Sequence, residues 1–272
     1  MRIVHVITRF LNAGAEENTL LSCNGQVEAG HEVHLIYGPD HNPETCDLLD
    51  SRVVQHVSPD LVRPVHPAKD LRALNDLTRI FNVLRPDIVH THTSKAGIVG
   101  RFAASRAKVP CIIHGVHILP FLNVSFVHKW VYLVLEKLAA RVTDAFINVS
   151  EGMKQANLQY CVGKEAQHYV VPSGMDVAAF REAVAPADWR AFFGKAAEKI
   201  TSEQPQFVIF VGAFEARKRH VPFLHVFREV VHSCPNAVLL LLGEGKEEPV
   251  IRETILSLGL ERHVILAGFR RD

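Results

Sequence analysis

Apolar positions along the chain follow two alternating patterns. Short apolar runs such as Ile88–His92 and Ala237–Leu242 are typical of buried strands. Between such runs, apolar residues recur three and four positions apart, as in Asp70–Leu84, which is typical of a helix with one buried face. Strands that alternate with helices predict βαβ units, and therefore an α/β protein with mainly parallel, doubly wound sheets.

The alternation runs without interruption from the amino terminus to Val171. The predicted strands there are Ile3–Ile7, Glu32–Tyr37, Val53–Val57, Ile88–His92, Cys111–His114, Ala145–Val149 and His168–Val171. The predicted helices are Glu16–Ala29, which should stop at Gly30, and Asp70–Leu84, Lys95–Arg106, Ser125–Val142 and Glu151–Gln159.

The pattern breaks at Pro172, and a mixed stretch follows that holds one further helix ending near Gly194. A second α/β series then comprises the strands Phe207–Val211, Ala237–Leu242 and Val264–Leu266 and the helices Val221–Ser233 and Glu247–Leu258. We place the domain boundary near 172–176, with a first domain at 1–172 and a second at 173–272. About three strands are fewer than an open α/β sheet usually has, so the second domain is predicted to be incomplete.

Composition narrows the class of protein. The chain has 272 residues, of which 48% are hydrophobic and 22% charged, as in soluble globular proteins. A formal net charge of +1 argues against nucleic acid as a partner. The 5 cysteines are scattered without a CxxC pair, which favours a reduced, cytoplasmic protein. No apolar run approaches the roughly 20 residues that span a bilayer, and the amino terminus lacks the pattern of a signal peptide.

Ligands of a doubly wound sheet bind beyond the carboxyl ends of its strands, so candidate ligand groups are expected in the loops that follow the strands. Gly14 lies among small residues just before a helix, where backbone can approach a ligand closely; a simple turn is the equal alternative. Lys95 lies in the first turn of a helix that Ser94 is predicted to cap. A cation there opposes the helix dipole, which hints at an anionic ligand, although a solvated lysine is the simpler explanation.

Histidines gather near the ends of two predicted strands, at positions His90, His92, His114 and His117. Histidine clusters can bind a metal, but no cysteine or carboxylate completes a ligand set in these stretches. We therefore expect no metal, and instead a histidine that acts through hydrogen bonds or as an acid or base at the crevice.

In the second half, a cationic group follows one strand and opens a helix: Arg217, Lys218, Arg219 and His220. Cations at a helix amino terminus suit a phosphate group, and a solvated basic turn is the alternative. Gly243 and Gly245 follow the next strand, but Glu248 stands where a dinucleotide fingerprint needs its third glycine. A nicotinamide cofactor is therefore not indicated.

The chain carries, in order, the stretches NAGAEEN with GHEVHLI, DIVHTHTSKAG, CIIHGVHILPF, TDAFINVSEGM, VVPSGMDVAAF, FVGAFEARKRH and LLLLGEGKEEPVIRETILSLGLERHVILAGF. Together they resemble the retaining glycosyltransferases of family 4, which have the GT-B fold of two Rossmann-like domains. The resemblance covers the whole chain, and VPSGMDVAAF resembles the family signature at the junction of the domains.

The resemblance implies transfer of a sugar, with retained anomeric configuration, from a nucleotide-diphosphate donor to an acceptor hydroxyl in the cleft between the domains. No metal or other cofactor is implied. Donor-binding roles fall on Gly14, Arg217, Lys218, Gly243 and Gly245, and the catalytic role near the transferred sugar falls on His117. His92 and Lys95 are candidates on the acceptor side, and the acceptor is expected to be a glycan or a lipid-linked sugar in the synthesis of a bacterial surface polysaccharide.

The sequence departs from the family pattern at several positions. Ala13 stands where a first glycine is usual, Ala213 stands where a phosphate-binding arginine is usual, and Ser173 replaces an asparagine. Arg217 is the candidate substitute for the missing arginine. The family's later Glu-x7-Glu motif has no counterpart after Gly268, so the chain resembles a family member truncated at its carboxyl end.

Two other functions stay open at this point. The chain could be a binding module or remnant that holds a nucleotide sugar without transferring it, and a GT-B sugar-nucleotide epimerase shares the architecture. A peripheral contact with the inner face of the membrane is a further expectation, from the aromatic and basic residues between Pro120 and Tyr132. A core helix explains that stretch at least as well.

Overall fold

The computed structural model of the chain describes residues 1–122, 124–175 and 177–270. Asn123 in the candidate membrane stretch, Asp176 in the junction signature, and Arg271 and Asp272 lie outside the described residues. The chain divides into two compact units, one from Met1 to Val177 and one from Ala178 onward. The sequence pattern placed the boundary near 172–176, and the first unit extends one residue further.

The strands are β1 Arg2–Ile7, β2 Glu32–Tyr37, β3 Val54–Val57, β4 Ile88–His92, β5 Cys111–Val116, β6 Ala145–Asn148, β7 His168–Val170, β8 Gln206–Val211, β9 Ala237–Leu242 and β10 Val264–Gly268. The helices are α1 Gly14–Glu28, α2 Pro43–Cys46, α3 Pro67–Leu84, α4 Ser94–Arg106, α5 Phe126–Ala140, α6 Glu151–Gln159, α7 Val177–Glu182, α8 Trp189–Phe193, α9 His220–Ser233 and α10 Glu248–Ser257. Every strand predicted from the apolar pattern is present, within two residues at each end.

The first unit is built on a seven-stranded parallel sheet in the order β3-β2-β1-β4-β5-β6-β7. Both faces are covered, which explains why its strands read as continuous apolar runs. On one face, Val4, Val6 and Val89 pack against α3 and α4. On the other face, Ile7 and Leu35 pack against α1. The order reverses between β1 and β4, and this is the point where doubly wound sheets open a crevice for ligands.

A buried ion pair joins α4 to α5. The guanidinium of Arg101 donates to the carboxylate of Glu136 at 2.6 Å and to the carbonyl oxygen of Gly97 at 2.7 Å. Both side chains are almost completely withdrawn from solvent, with 0% and 5% exposed. A buried charge is tolerated only when it is paired and hydrogen-bonded, so this pair fixes where α5 lies on the sheet.

The amino terminus of α4 is capped differently from the prediction. Ser94 is the first helical residue, and the preceding Thr93 has a positive φ of 60° and makes no side-chain cap. The backbone N–H of Ala96 donates instead to the hydroxyl of Thr8, at 3.0 Å, in the loop after β1. The prediction for Ser94 was wrong because the cap comes from a neighbouring strand, which a local pattern does not reveal.

The second unit carries a three-stranded parallel sheet in the order β10-β9-β8. Its central strand β9 is buried along nearly its whole length. Leu239 and Leu241 pack against α9 and α10, and Val238 and Leu240 pack against Ala197 and its neighbours. The three strands are those predicted from the apolar pattern.

Candidate functional site

Three buried histidines share one face of the first sheet. His5 on β1 lies directly opposite His90 on β4 in the parallel register. His92 follows two residues after His90, so its side chain points to the same face. Their exposed fractions are 0%, 8% and 0%. The sheet therefore brings together imidazoles that are far apart in the sequence.

Hydrogen bonds link this face to His117, just beyond β5. Nδ1 of His5 lies 2.9 Å from Nε2 of His92, and Nδ1 of His92 lies 3.0 Å from Nε2 of His117. At the other end, Nε2 of His5 lies 2.8 Å from the amide oxygen of Gln26 on α1. Two of the predicted site residues, His92 and His117, are thus in direct contact.

His114 does not belong to this group. It points to the opposite face, where its Nδ1 lies 2.9 Å from the hydroxyl of Thr91. A Cβ atom added to Gly97 of α4 would come within 2.5 Å of its ring. The four histidines singled out in the sequence are therefore divided between two faces, and His114 is a packed, hydrogen-bonded histidine.

The described residues contain one group that could hold a metal ion, formed by His5, His90 and His92, each with a ring nitrogen within 4.8 Å of the others. Nε2 of His90 is buried without a hydrogen-bond partner among the described atoms. No carboxylate joins the group. The expectation that the protein needs no metal stays a prediction.

Burial keeps the imidazoles of this face neutral. Desolvation lowers the pKa of His5 to about 4 and that of His117 to about 4. The pKa values of His90 and His92 are lowered well below the ordinary value, first by desolvation and then by the neighbouring imidazoles. At neutral pH each ring therefore carries one N–H donor and one bare nitrogen.

A cavity of about 380 Å³ opens over the same face of the sheet. Its polar lining includes Gln26, His90 and His117, and Gly115 lies between the two histidines in the lining. The remaining walls are largely apolar. Concave, largely apolar spaces with a few convergent polar groups are the usual form of small-molecule sites. Of the predicted site residues in the first unit, His117 lines this cavity, whereas Gly14, His92 and Lys95 do not.

Gly14 and Lys95 have different surroundings. Gly14 is the first residue of α1 and is exposed, and nothing lies within 4 Å of where its Cβ would be. Space is therefore open for a ligand at this helix amino terminus. The ammonium of Lys95 donates to the carboxylate of Asp70 and, at 2.9 Å, to the carbonyl oxygen of Pro64. This ion pair gives the lysine a structural role, and its predicted role toward the acceptor stays a prediction.

In the second unit, the loops that follow β8 and β9 run side by side. The N–H of Phe214 donates to the carbonyl oxygen of Glu244 at 2.8 Å, and the N–H of Glu247 donates to that of Phe214 at 3.0 Å. The predicted donor-binding residues of both loops are therefore brought into one region. A Cβ added to Gly212 would lie 3.8 Å from Cδ of Lys218, so the lysine stem lies along this paired backbone.

The two glycines of the second loop are required by packing. Gly243 and Gly245 have positive φ values of 149° and 156°. A Cβ at Gly243 would come within 2.1 Å of the carbonyl oxygen of Gly212, and one at Gly245 within 2.5 Å of that of Phe214. Backbone atoms cannot yield to such contacts, so these positions need glycine whether or not a ligand binds.

The cations of the first loop are exposed but are not equivalent. The guanidinium of Arg217 pairs with Glu215 in the same loop. Lys218 makes no ion pair among the described residues. His220 is buried between Phe210 and Phe214, with ring centroids 4.4 and 5.0 Å away, and belongs to the core. Lys218 and Arg219 are both exposed and make no ion pair in the part of the chain that the structure describes, so either cation is free to meet an anionic ligand.

Two residues of the hydrogen-bonded group that contains His92 and His117 were not identified from the sequence. His5 was treated only as part of a strand, and Gln26 only as part of a helix. A signal for His5 was present. A doubly wound sheet places its first strand beside the fourth, and alternate residues of a strand point to the same face, so a residue of the first strand can share a face with His90. Gln26 carried no comparable signal, since its contact depends on how α1 lies over the sheet.

This arrangement defines a class of protein. The GT-B glycosyltransferases have this architecture. It consists of two α/β units, each built on a parallel sheet with candidate ligand groups at the carboxyl ends of its strands. The crystal structure of Anabaena HepE in complex with UDP and glucose has the same fold, with a TM-score of 0.75 at 19% sequence identity. The similarity covers 100% of this chain and 70% of that one.

The sequence profile of Glycosyltransferase Family 4 matches residues 13–179, and that of Glycosyl transferases group 1 matches residues 194–272. The chain therefore belongs to glycosyltransferase family 4 and is an enzyme of that class, as the ordered motifs predicted.

Two similar proteins of bacteria are named as glycosyltransferases. The Escherichia coli UDP-Gal:α-D-GlcNAc-diphosphoundecaprenol α-1,3-galactosyltransferase is 28% identical over 100% of this chain and 70% of its own length. The capsular polysaccharide biosynthesis glycosyltransferase CapM of Staphylococcus aureus is 26% identical over 74% of this chain and 52% of its own length. The chain thus spans between about half and about 70% of the length of these relatives.

Because burial holds the histidines on this face of the first sheet neutral, the free energy of unfolding is expected to depend on pH. The pKa values of about 4 for His5 and His117 lie below that of an unfolded histidine, about 6.5. The unfolded chain therefore takes up protons first as the pH falls. The stability that this face contributes is fully present above about pH 6.5 and is lost as the pH falls toward 4, by at least about 1.4 kcal/mol per pH unit.

Urea denaturation between pH 7 and pH 5 measures this dependence. We expect the slope to become shallower in His5→Gln. Gln155→Leu, at an exposed residue that does not titrate, should leave the slope unchanged. An equal slope in wild type and His5→Gln would contradict the account.

Proposed function

We propose that the enzyme transfers a sugar from a uridine-diphosphate donor to a hydroxyl group of a lipid-linked acceptor, with retention of anomeric configuration, in the synthesis of a bacterial surface polysaccharide. The observation that carries the proposal is the alignment of the whole chain with the E. coli enzyme, whose name specifies a UDP-sugar donor and a diphosphoundecaprenol-linked acceptor. UDP in the HepE complex supports the same class of donor.

Lys218 is proposed to bind the diphosphate of the donor. When the bond between sugar and diphosphate breaks, negative charge develops on the leaving phosphate, and a fixed cation stabilises that charge where it forms. The ammonium of Lys218 is exposed, whereas the neighbouring Arg217 is engaged by Glu215. Gly243 and Gly245 then contribute by holding the adjacent loop against the lysine loop.

The open amino terminus of α1 is proposed as a second contact for the donor phosphates. Ala13 at the N-cap position offers no side-chain acceptor, so the N–H groups of Gly14 and Ala15 are left available to an anion, whereas that of Glu16 is engaged by its own carboxylate. Because no atom occupies the space beside Gly14, a phosphate oxygen can reach this backbone.

His117 is proposed to face the transferred sugar, because it lines the cavity while its other edge is held by His92. Retention is proposed from the linkage in the name of the E. coli relative. That enzyme makes an α-1,3 bond, and the galactose of UDP-galactose is itself α-linked to the diphosphate. In this proposal the negative charge is met by protein cations and helix N–H groups, so no metal is required.

A second candidate is a module that binds the nucleotide sugar without transferring it. Such a module would use the same donor contacts, the open space beside Gly14 and the exposed Lys218. Binding of UDP-sugar without any product, across a panel of lipid-linked acceptors, would support this candidate over the transferase.

Lys218→Ala and Gly14→Ala test the donor contacts. The first removes the cation, and the second adds a methyl group to the space that the phosphate needs. We expect each variant to lose transfer by roughly 100-fold or more, as when a fixed donor to a developing charge is removed. Radiolabelled sugar transferred to a lipid-linked acceptor measures the rate, and calorimetric titration with UDP measures donor binding.

Matched controls separate these effects from folding. Gly25→Ala adds the same methyl group within α1, also with nothing within 4 Å, and Lys199→Ala removes an exposed lysine of the second unit. Both controls should retain wild-type transfer. Near-normal turnover in Lys218→Ala would refute the role given to that lysine.

We also propose that the enzyme rests on the membrane that carries its acceptor, through an apolar face of α5. No helix in the described part of the chain has both the length and the apolarity needed to cross a bilayer. The α5 apolar face consists of Phe126, Val127, Trp130 and Val131, which are 82%, 69%, 64% and 48% exposed. Such an exposed stripe on one side of a helix suits the interface of a bilayer.

The structure corrects two members of the predicted membrane stretch. Phe121 is buried and packs edge-on against Tyr160, with ring centroids 5.1 Å apart. Lys129 donates to the hydroxyl of Tyr160 at 2.9 Å and lies over its ring. These two residues therefore hold α5 to the core. Basic groups for anionic lipid are left to Lys137, in the last turn of the helix, and Arg141, the residue after its end.

Flotation with vesicles that contain phosphatidylglycerol tests the α5 apolar face. We expect wild-type protein to float and the double variant Phe126→Ser, Trp130→Ser to lose binding roughly tenfold or more, since two large apolar side chains leave the lipid. Leu256→Ser, at a 60% exposed residue of the second unit, is the control and should float like wild type. Equal flotation of the double variant, or no flotation of wild type, would contradict the proposal.

A further inference from the structure

Four side chains form a continuous hydrogen-bonded chain, and the residues at its two ends, Gln26 and His117, both line the cavity. It begins at Gln26 on the helix that covers the sheet, passes through His5 and His92, and reaches His117. The successive distances are 2.8, 2.9 and 3.0 Å. Each link between two imidazoles joins Nδ1 of one ring to Nε2 of the next.

This connection constrains the tautomers of all three rings. A neutral imidazole has one N–H and one bare nitrogen, so a ring that donates through one nitrogen must accept through the other. Because both links run from Nδ1 to Nε2, the three rings must all carry the proton on Nε2 or all carry it on Nδ1. A mixed set would leave two N–H groups, or two bare nitrogens, facing each other.

The orientation of the Gln26 amide selects between the two states, because an amide turned the other way would present its NH2 group to His5 and require the opposite set. In the structure, the amide oxygen faces Nε2 of His5, and an oxygen can only accept. His5 therefore donates from Nε2 and accepts at Nδ1, and the same assignment passes through His92 to His117. The result is a bare Nδ1 on His117. Among the described residues this nitrogen has no hydrogen-bond partner, and the ring lines the cavity.

Gly115 makes the last link possible. A Cβ at this position would lie 3.0 Å from Nδ1 of His92 and 3.1 Å from Nε2 of His117, directly over their hydrogen bond. The residue does not have a positive φ, so its backbone would accept alanine. The absence of a side chain at Gly115 therefore serves the contact between the two rings.

The same rings could be considered as metal ligands, together with His90. However, the atoms that face each other in the pair His5–His92 are 2.9 Å apart and share one proton between them. A metal would need both nitrogens bare and turned toward a common point. The geometry of the described side chains therefore favours the hydrogen-bonded chain.

We propose that Gln26, His5 and His92 are positioning residues that fix the tautomer of His117, so that its bare Nδ1 accepts a hydrogen bond from a hydroxyl group of the bound sugar. The identity of the ligand in this inference rests on the proposed function. The assignment of the tautomers does not. The opposite tautomer would present an N–H to the sugar, which then could not donate to the ring.

Nitrogen-15 NMR of the imidazole rings tests the proposal on the protein without substrate, because protonated and bare ring nitrogens have widely separated shifts. At pH 8 we expect His5, His92 and His117 all to be protonated on Nε2 alone. In Gln26→Leu we expect this uniform pattern to be lost. Gln26→Glu, whose carboxylate can only accept, should keep it. Gln155→Leu, at an exposed helical glutamine, is the matched control and should also keep it.

Gly115→Ala tests the last link, because the added Cβ would contact both rings of that link; it would also lie 3.2 Å from Nε2 of His90, which takes no part in the hydrogen-bonded chain. We expect the pattern at His5 and His92 to persist while His117 loses its fixed tautomer. In assays of transfer, kcat/KM should fall about tenfold in Gln26→Leu and recover in Gln26→Glu, as for loss of one hydrogen bond to the substrate. A structural role alone would not be rescued by a carboxylate.

Three results would overturn the proposal. They are a mixture of tautomers among the three wild-type rings, an unchanged His117 pattern in Gln26→Leu, or stoichiometric retention of Zn²⁺ by the cluster after dialysis. Failure of the proposed function is distinguishable. If the wild-type protein transfers no sugar to any acceptor, the ring nitrogen pattern still decides whether the chain of hydrogen bonds sets the tautomer.

Discussion

The parallel register between β1 and β4 is the constraint on which the first unit's site depends. It sets His5 opposite His90, and the two-residue period of the strand then places His92 on the same face. A slip of one residue would turn β1's histidine to the face covered by α3 and α4. The slip is disfavoured because His5 would then lose His92 and Gln26 as hydrogen-bond partners and be buried among apolar side chains such as Val4 and Val6. The register therefore assembles the polar chain that ends at His117.

In the second unit, a different kind of interaction brings the candidate residues together. There, backbone hydrogen bonds between the loops after β8 and β9 bring the candidate residues together, and glycines permit the close approach. The histidines of the first unit's site are held neutral by burial, whereas Lys218 is exposed and charged. This division suits a reaction in which one group must recognise hydroxyls and another must meet a diphosphate.

Much of this architecture could be predicted from the sequence, because apolar periodicity is a local signal. Strands such as Ile88–His92 and Ala237–Leu242 and the helix Glu151–Gln159 were predicted with their observed ends. What could not be predicted depends on contacts across the fold. The hydroxyl of Thr8 caps a helix that begins more than eighty residues later, and Gln26 meets His5 only because α1 lies over β1. The short helix Pro43–Cys46 was missed although Asn42 and Pro43 form a recognisable start, because one turn carries no periodicity.

Transfer of a sugar to a lipid-linked acceptor is the central activity proposed for this protein, and analysis of the product tests it most directly. Incubation of the protein with UDP-galactose carbon-13 labelled at the anomeric carbon, and with a diphosphate-linked N-acetylglucosamine lipid, would be followed by NMR and mass spectrometry of the products. The account predicts a new α-glycoside on the lipid, with UDP released in equal amount. A β-glycoside would contradict retention, and a free or nucleotide-bound epimerised sugar without any glycoside would make the protein an epimerase of the same fold.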